Sequence, residues 1–428
     1  MYIARVKWRN ELIALLCVVL FVTLGVLYFQ YWVVQKPFGI ILFVGEGLTA
    51  EQITLTRLYV GGAGAHLGLE SLEHLALVKN DSTDFAVPDR AAAATAMATG
   101  RKVANRAISI DRAGKPLANI LELARARGRI AGLITNTKLT DPTSAAFYAH
   151  ANMDTEPAVL AGELVDHAKL DVVMGGGGAA FLPTAKGGGR RDNRDLLLDL
   201  RRDGFDVVRT RAELEEISTT RRPRLFGVFA DEEMAFVNQM RRRGEQPSLV
   251  DMVRRAIQLL QYNIGGYVLV VDAGLSRIAA EQNHAERSLL QTAELDRSIA
   301  MAQRYAGPKS TIVVCGDVAV GGLALNGFPF RDDSSIALLG LNSAGEPWMT
   351  WATGPKGARP SGRGKVGAER DRSDTQPKKE ELEPAAFYAP FALNAASDVV
   401  ALGSGRGTVR LRGYIENTQI FDILRDQL

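Results

Sequence analysis

Three carboxylates stand where apolar runs of the chain end. Glu46 follows the run from Gly39 to Gly45, Asp272 closes Tyr267-Val268-Leu269-Val270-Val271, and Asp317 follows Thr311-Ile312-Val313-Val314-Cys315-Gly316. Each has a glycine beside it or within two residues, which permits a tight turn. In open α/β sheets function gathers at the carboxyl ends of strands. A fourth candidate is the stretch at 87–100, VPDRAAAATAMATG. An acid, one residue at a helix mouth and then a row of small residues is the layout of a catalytic turn. The nucleophile's place, directly after Asp89, holds Arg90. A guanidinium stays protonated and attacks nothing. The alanines that follow carry no hydroxyl, and Thr95 lies more than one helical turn further on.

The elements that must position these residues read as alternating strands and helices. Apolar runs at 39–47, 130–135, 171–174, 267–272 and 311–317 are continuous rather than alternating, which predicts strands of a parallel sheet buried on both faces. The run at 171–174 leads into Gly175 to Gly178. Residues 117–127, 250–262 and 285–305 read as helices between the strands. The fold class is therefore α/β, a mostly parallel central sheet flanked by helices. Residues 354–383 are rich in Gly, Pro and charged side chains and read as a flexible, solvated insertion. Cys17 and Cys315 lie far apart in unlike surroundings, which argues against a disulfide between them. A net charge of +3 gives no reason to expect a nucleic-acid partner.

The first residues bear on location. Arg5, Lys7 and Arg9 precede an uncharged run at 12–35, with Tyr28, Phe29, Tyr31 and Trp32 at its far end. About 20 apolar residues cross a bilayer as a helix. A basic leading flank and an aromatic far end predict a single-pass anchor with residues 1–11 in the cytoplasm. The domain at 36–428 then lies outside, in the periplasm if the cell is Gram-negative. A cleaved signal peptide is the rival, but no small-x-small site follows the run.

Several motifs in order give the chain a family resemblance. GIILFVGEG, DRAAAATAMATGRKVANRAISID, GLITNTKLTDPTSAAFYAH, DVVMGGGGAAF, LFGVFADEEM, PSLVDMVRRAIQLL and SDVVALGSGRGTVRLRGYIENTQI resemble the alkaline phosphatase superfamily from about Phe38 onward. That resemblance implies metal-assisted phosphoryl transfer: two zinc ions about 4 Å apart, a serine nucleophile, a phosphate-holding arginine and a magnesium site. Carried over residue by residue, the serine's place is Arg90 and the phosphate arginine's is Asp154. One zinc site starts from Asp272 and continues at Arg277, Glu281 and Asn394. The other reads Glu46, Arg90, Asp317 and Val318. Zinc prefers His and carboxylate ligands, so these positions are degenerate and zinc is not expected. The magnesium-type set survives better, as Glu46, Asp141, Thr143 and Asp272, and implies at most one Mg or Ca ion. None of His66, His74, His150, His167 and His284 falls on a zinc ligand; His150 matches a structural position, and His167 and His284 read as helix-surface residues.

Without divalent cations, Glu46, Asp141, Asp272 and Asp317 would crowd one another and need neutralising. Arg90 and Arg277 are expected to pair with them in place of metal. The leading functional reading is a membrane-anchored pseudoenzyme, a scaffold or accessory subunit of a membrane protein complex. A metal-dependent hydrolase using the magnesium-type site is one alternative, and a small-anion sensor at Arg90 or Arg277 is another.

Overall fold

A computed structural model describes residues 2–28, 36–243, 245–326, 347–358 and 383–428. The chain divides into two compact units, Met1–Pro37 and Phe38–Leu428. The first is a helix, α1 (Tyr2–Tyr28), whose apolar stretch Asn10–Tyr28 has a mean hydropathy of 2.5. At 1.5 Å per residue this stretch spans about 28 Å, near the thickness of a hydrocarbon core. The helix begins well ahead of residue 12, because the preceding segment contains no helix breaker. Phe29, Tyr31 and Trp32 of the expected aromatic end lie outside the described residues.

Ten strands build the central sheet of the second unit: β1 (Gly39–Gly45), β2 (His74–Lys79), β3 (Ile130–Lys138), β4 (Val172–Gly176), β5 (Asp206–Val208), β6 (Leu225–Val228), β7 (Tyr267–Ala273), β8 (Thr311–Gly316), β9 (Val399–Ser404) and β10 (Arg412–Glu416). Their order is β10-β2-β9-β8-β1-β7-β3-β4-β6-β5. Every pairing is parallel except those of β9, which runs antiparallel to both β8 and β2. β1 sits centrally and is buried throughout. Ile40, Leu42 and Val44 feed the core on one face, and Ile41 and Phe43 feed the core on the other. That two-sided burial is why the strand reads as an unbroken apolar run.

Register decides where the acids go. Val44 of β1 lies opposite Cys315 on one side and Asp272 on the other. Glu46, Asp272 and Asp317 therefore emerge side by side at one edge of the sheet. Thr135 of β3 is registered with Asp272 and extends the row.

The helices cover both faces. They include α2 (Ala50–Gly61), α3 (Arg90–Thr99), α4 (Ile120–Ala126), α5 (Leu249–Leu260), α6 (Leu275–Glu281), α7 (Ala285–Ala306) and α8 (Thr418–Arg425). α4 starts later than its periodicity suggests. Asn119 caps it, accepting the N–H groups of Leu121 and Glu122, and Glu122 returns a bond to Asn119.

Two expectations need correction. Residues 354–383 are not one solvated stretch, because their ends are built into the fold. Gly357–Ala358 pairs with the strand Ala385–Tyr388, and Glu383 accepts the Ala285 N–H at 2.7 Å. Composition missed this because the anchoring is mainly backbone pairing. Residues 359–382 lie outside the described residues. His284 is not a surface residue: it is 6% exposed, at the turn where α6 gives way to α7. The strands β2, β5 and β10 carried no clear periodic signal, since they are short or exposed on one side.

Candidate active site

The turn at Asp89 places Arg90. Asp89 caps α3 by accepting the Ala92 N–H at 2.9 Å, and its other oxygen accepts the Arg106 N–H at 2.6 Å. Both bonds fix the helix mouth. Ala91 to Ala98 are almost fully buried, so α3 packs closely against α8 and the short helix Pro142–Ala145. The helix stops at Gly100, whose φ of 70° suits a residue without a side chain; a Cβ there would meet Phe421 at 2.5 Å.

Arg277 enters the same region from α6, one turn beyond β7. It is 3% exposed, and its guanidinium is divided among three acids. Nε pairs with Glu46, Nη1 reaches Glu281 at 2.7 Å, and Nη2 reaches Asp141 at 3.3 Å. Arg90 Nη1 approaches the same Asp141 oxygen at 3.2 Å. Two cations and three carboxylates thus form one continuous network across four segments of chain.

The remaining acids lie beside it. Asp272 accepts hydrogen bonds from Ser144 Oγ at 2.7 Å and Thr135 Oγ1 at 3.0 Å. Asp317 accepts the N–H groups of Gly47 at 3.1 Å and Val318 at 2.5 Å. Burial pushes Asp272 and Asp317 well above the usual carboxylate range, with Glu46 adding to both. Burial also pushes Glu46 upward, but Arg277 and Arg90 outweigh it and hold Glu46 below its ordinary value. Asp141 is raised, because burial exceeds the pull of the two arginines. Arg277 is itself held protonated by Glu46, Asp141 and Glu281 against the cost of burial. Glu46 and Arg277 thus hold each other in the charged form, while burial favours the protonated form of Asp272 and Asp317. Glu46 and Asp272 lie close enough to share a hydrogen bond once Asp272 is protonated.

Residues 39–428 match the family model for alkaline phosphatase. The chain belongs to the alkaline phosphatase family. It is 29% identical over 324 residues to the tissue-nonspecific alkaline phosphatase of Gallus gallus, covering 64% of this chain and 62% of that protein. Alkaline phosphatase H of Pseudomonas aeruginosa is 30% identical over 336 residues, covering 67% of this chain and 70% of that one. The match spans under two thirds of the chicken relative's length. Among solved structures, the alkaline phosphatase of Thermus thermophilus superposes with a TM-score of 0.72 at 24% identity, covering 92% of each chain. That of the Antarctic bacterium TAB5 gives 0.70 at 20%, covering 92% of this chain and 98% of its own. These two likenesses show the alkaline phosphatase fold.

The other positions singled out by the family motifs scatter around the network. Asn394 donates through Nδ2 to the Pro88 carbonyl at 3.0 Å. Val318 is buried among apolar neighbours and offers no ligand atom. Asp154 is exposed and pairs with Arg106. Thr143 is buried beside Ser144 on the short helix, its hydroxyl without a hydrogen-bond partner. Two clefts, about 470 and 540 Å³, open over the network and share Arg90, Met153, Arg277 and Glu281 as lining residues. Lys138 also lines the second, tied to Glu232 and Glu233.

Three supporting residues escaped the sequence reading. Ser144 and Thr135 hold Asp272, and Asn136 accepts the N–H groups of Gly274 and Leu275 at 2.9 and 3.2 Å, which fixes the start of α6. Ser144 is adjacent to Thr143 in the motif TDPTSAA, so its neighbour's place was a usable signal. Nothing local marks Thr135 or Asn136. Their role comes from the register of β3 against β7.

Proposed function

We propose that this chain is a non-catalytic member of the alkaline phosphatase family, held at a membrane by α1 and serving a membrane protein complex as scaffold or accessory subunit. One observation carries the first part: the Arg277 guanidinium is buried among Glu46, Asp141 and Glu281. The donor set does not fit zinc. Arg277 brings a fixed positive charge among the would-be ligands, Val318 has no donor atom, and the Asn394 amide nitrogen is committed to a backbone carbonyl. The position of the nucleophile is also Arg90, which does not form a phosphoryl ester. The relatives carry the names of enzymes, so the reading is one of loss within an active family. The anchor rests on the length and apolarity of Asn10–Tyr28. Its basic leading flank supports a cytoplasmic N-terminus and an extracytoplasmic domain.

A second reading has an observation in its favour. Glu46 Oε1, Asp141 Oδ1, Thr143 Oγ1 and Asp272 Oδ1 are buried without hydrogen-bond partners, and oxygen donors suit a single Mg or Ca ion. Against it, among the described residues no three His, Cys, Asp or Glu side chains gather as a cation site. The phosphate clamp is also missing, with Asp154 in its place.

The test is hydrolysis of a chromogenic aryl phosphate by the full chain, with zinc and with magnesium, beside elemental analysis of the purified protein. The proposal expects no turnover above the buffer and no stoichiometric metal. Turnover that Asp141→Ala abolishes would overturn it in favour of the second reading. For the accessory role, recovery of the chain as a lone monomer across several mild detergents counts against the proposal.

A further inference from the structure

A groove of about 800 Å³ opens past the C-terminal end of α3, between the loop after Thr99 and the turn at 111–115. None of its lining residues belongs to the acid–arginine network. Arg101, Lys102, Arg112 and Lys115 line it, opposed by Asp84 and Asp111. The four cations are not equivalent. Lys102 is bound by Asp81 and by Glu416, the latter at 2.7 Å. Arg101, Arg112 and Lys115 are exposed, and none forms an ion pair with a described carboxylate.

Each acid of the groove uses its Oδ1 to hold a loop in place. Asp84 accepts from Ser82 Oγ at 2.8 Å and from the Asn105 N–H at 2.9 Å. Asp111 Oδ1 accepts the N–H groups of Ala113 and Lys115, each at 2.9 Å. These bonds build the turn that presents Arg112 and Lys115. Arg112 stands near enough to Asp84 to help the Asn105 N–H hold its carboxyl below the ordinary value, yet with Lys102 already bound the three exposed cations outnumber the two acids, and an anion with several oxygens balances the excess positive charge. Guanidinium forks match phosphate oxygens two at a time, and a lysine adds a point charge. Val103, Pro116 and Leu117 supply apolar wall.

We infer that this groove binds a phosphate-bearing anion through Arg101, Arg112 and Lys115, apart from the cleft at Arg90. A free phosphate ester and a phospholipid headgroup share that chemistry. The inference is independent of whether the chain has enzymatic activity.

The experiment uses the full chain in an uncharged detergent. Pyrophosphate is titrated by calorimetry, and phosphatidylglycerol is doped into the same micelles and counted on the protein by native mass spectrometry. Three variants accompany the wild type: Arg101→Gln/Arg112→Gln/Lys115→Gln, a control removing equal charge elsewhere as Lys169→Gln/Arg201→Gln/Arg412→Gln, and Arg90→Ala. The expected result is saturable binding of at least one probe that weakens about tenfold or more in the groove variant, with salt-sensitive affinity, and stays near wild type in the other two. Binding of pyrophosphate with that pattern identifies a soluble phosphate ligand, and binding of phosphatidylglycerol alone identifies a headgroup. Saturable binding of neither probe overturns the inference, as does equal weakening in the control variant or loss of binding in Arg90→Ala.

Discussion

Replacing Arg277 by methionine strips the network of its central charge while keeping most of the volume. Arg277 is 3% exposed and Glu46 is 0% exposed, so water cannot take the guanidinium's place. Glu46 must then remain ionised in a dry site or take up a proton. The proton sets the ceiling on the cost: with an ordinary Glu value near 4.3, staying neutral at pH 7 costs about 2.7 × 1.36, or about 3.7 kcal/mol. Asp141 keeps Arg90 at 3.2 Å and adds less, about 1 kcal/mol. The sum, about 4–5 kcal/mol, agrees with the range for removing one partner of a buried pair. At pH 5 the proton costs Glu46 only about 1 kcal/mol, so the destabilisation should fall to about 2 kcal/mol. Urea melts of the full chain at pH 7 and pH 5, followed by circular dichroism, measure both values. Adding Glu46→Gln to Arg277→Met removes the stranded charge and should recover most of the loss. If the single variant melts with the wild type at pH 7, or if the double variant is no more stable than the single, the reasoning is wrong.

Three further outcomes follow from the same geometry. Arg90→Ala should destabilise the domain by about 1–2 kcal/mol, since Arg90 is partly exposed and Asp141 keeps Arg277, while exposed Arg201→Ala should change little in matched thermal melts. Asp317 has a raised value in the folded state, so its stability contribution is fully present below the unfolded value, near 3.9, and is lost as pH rises through the folded one. Asp317→Asn keeps the acceptor oxygen for Gly47 and Val318 and removes that loss; the two proteins should melt alike at pH 3.5 and the variant higher at pH 7.5. Zinc added at micromolar excess should leave the melting temperature unchanged, whereas an ion bound at a hundred times its Kd would stabilise the fold by about 2.7 kcal/mol.

The parts of the site legible in the sequence are those fixed by one strand or one motif. Glu46, Asp272 and Asp317 could be placed at strand ends because β1, β7 and β8 are buried on both faces and so read as unbroken apolar runs. Arg90 stood out because Asp89 and the alanines frame it. What the sequence could not show was the partnering. That Arg277 spans Glu46, Asp141 and Glu281 depends on β1 lying beside β7, with over 200 residues between them, and on the short helix at Pro142 folding back over both. The burial of His284 escapes the local pattern for a similar reason: its neighbours come from a turn between two helices, and its own helix shows only a polar start. The groove at Arg101 left no pattern at all, since its cations sit in loops whose approach is fixed by Asp84 and Asp111.

The antiparallel β9 has a consequence for the making of the protein. It slots between β8 and β2, and α8 then seals the alanine face of α3. Until residues 399–404 leave the ribosome, the two interior strands β8 and β2 expose unpaired edges, each able to recruit another chain. The sheet therefore cannot close during synthesis in order of appearance, and its pairing waits for contacts of large sequence separation. A nascent chain in this state needs shielding, and truncation anywhere before Val399 should yield aggregates rather than a shorter folded domain.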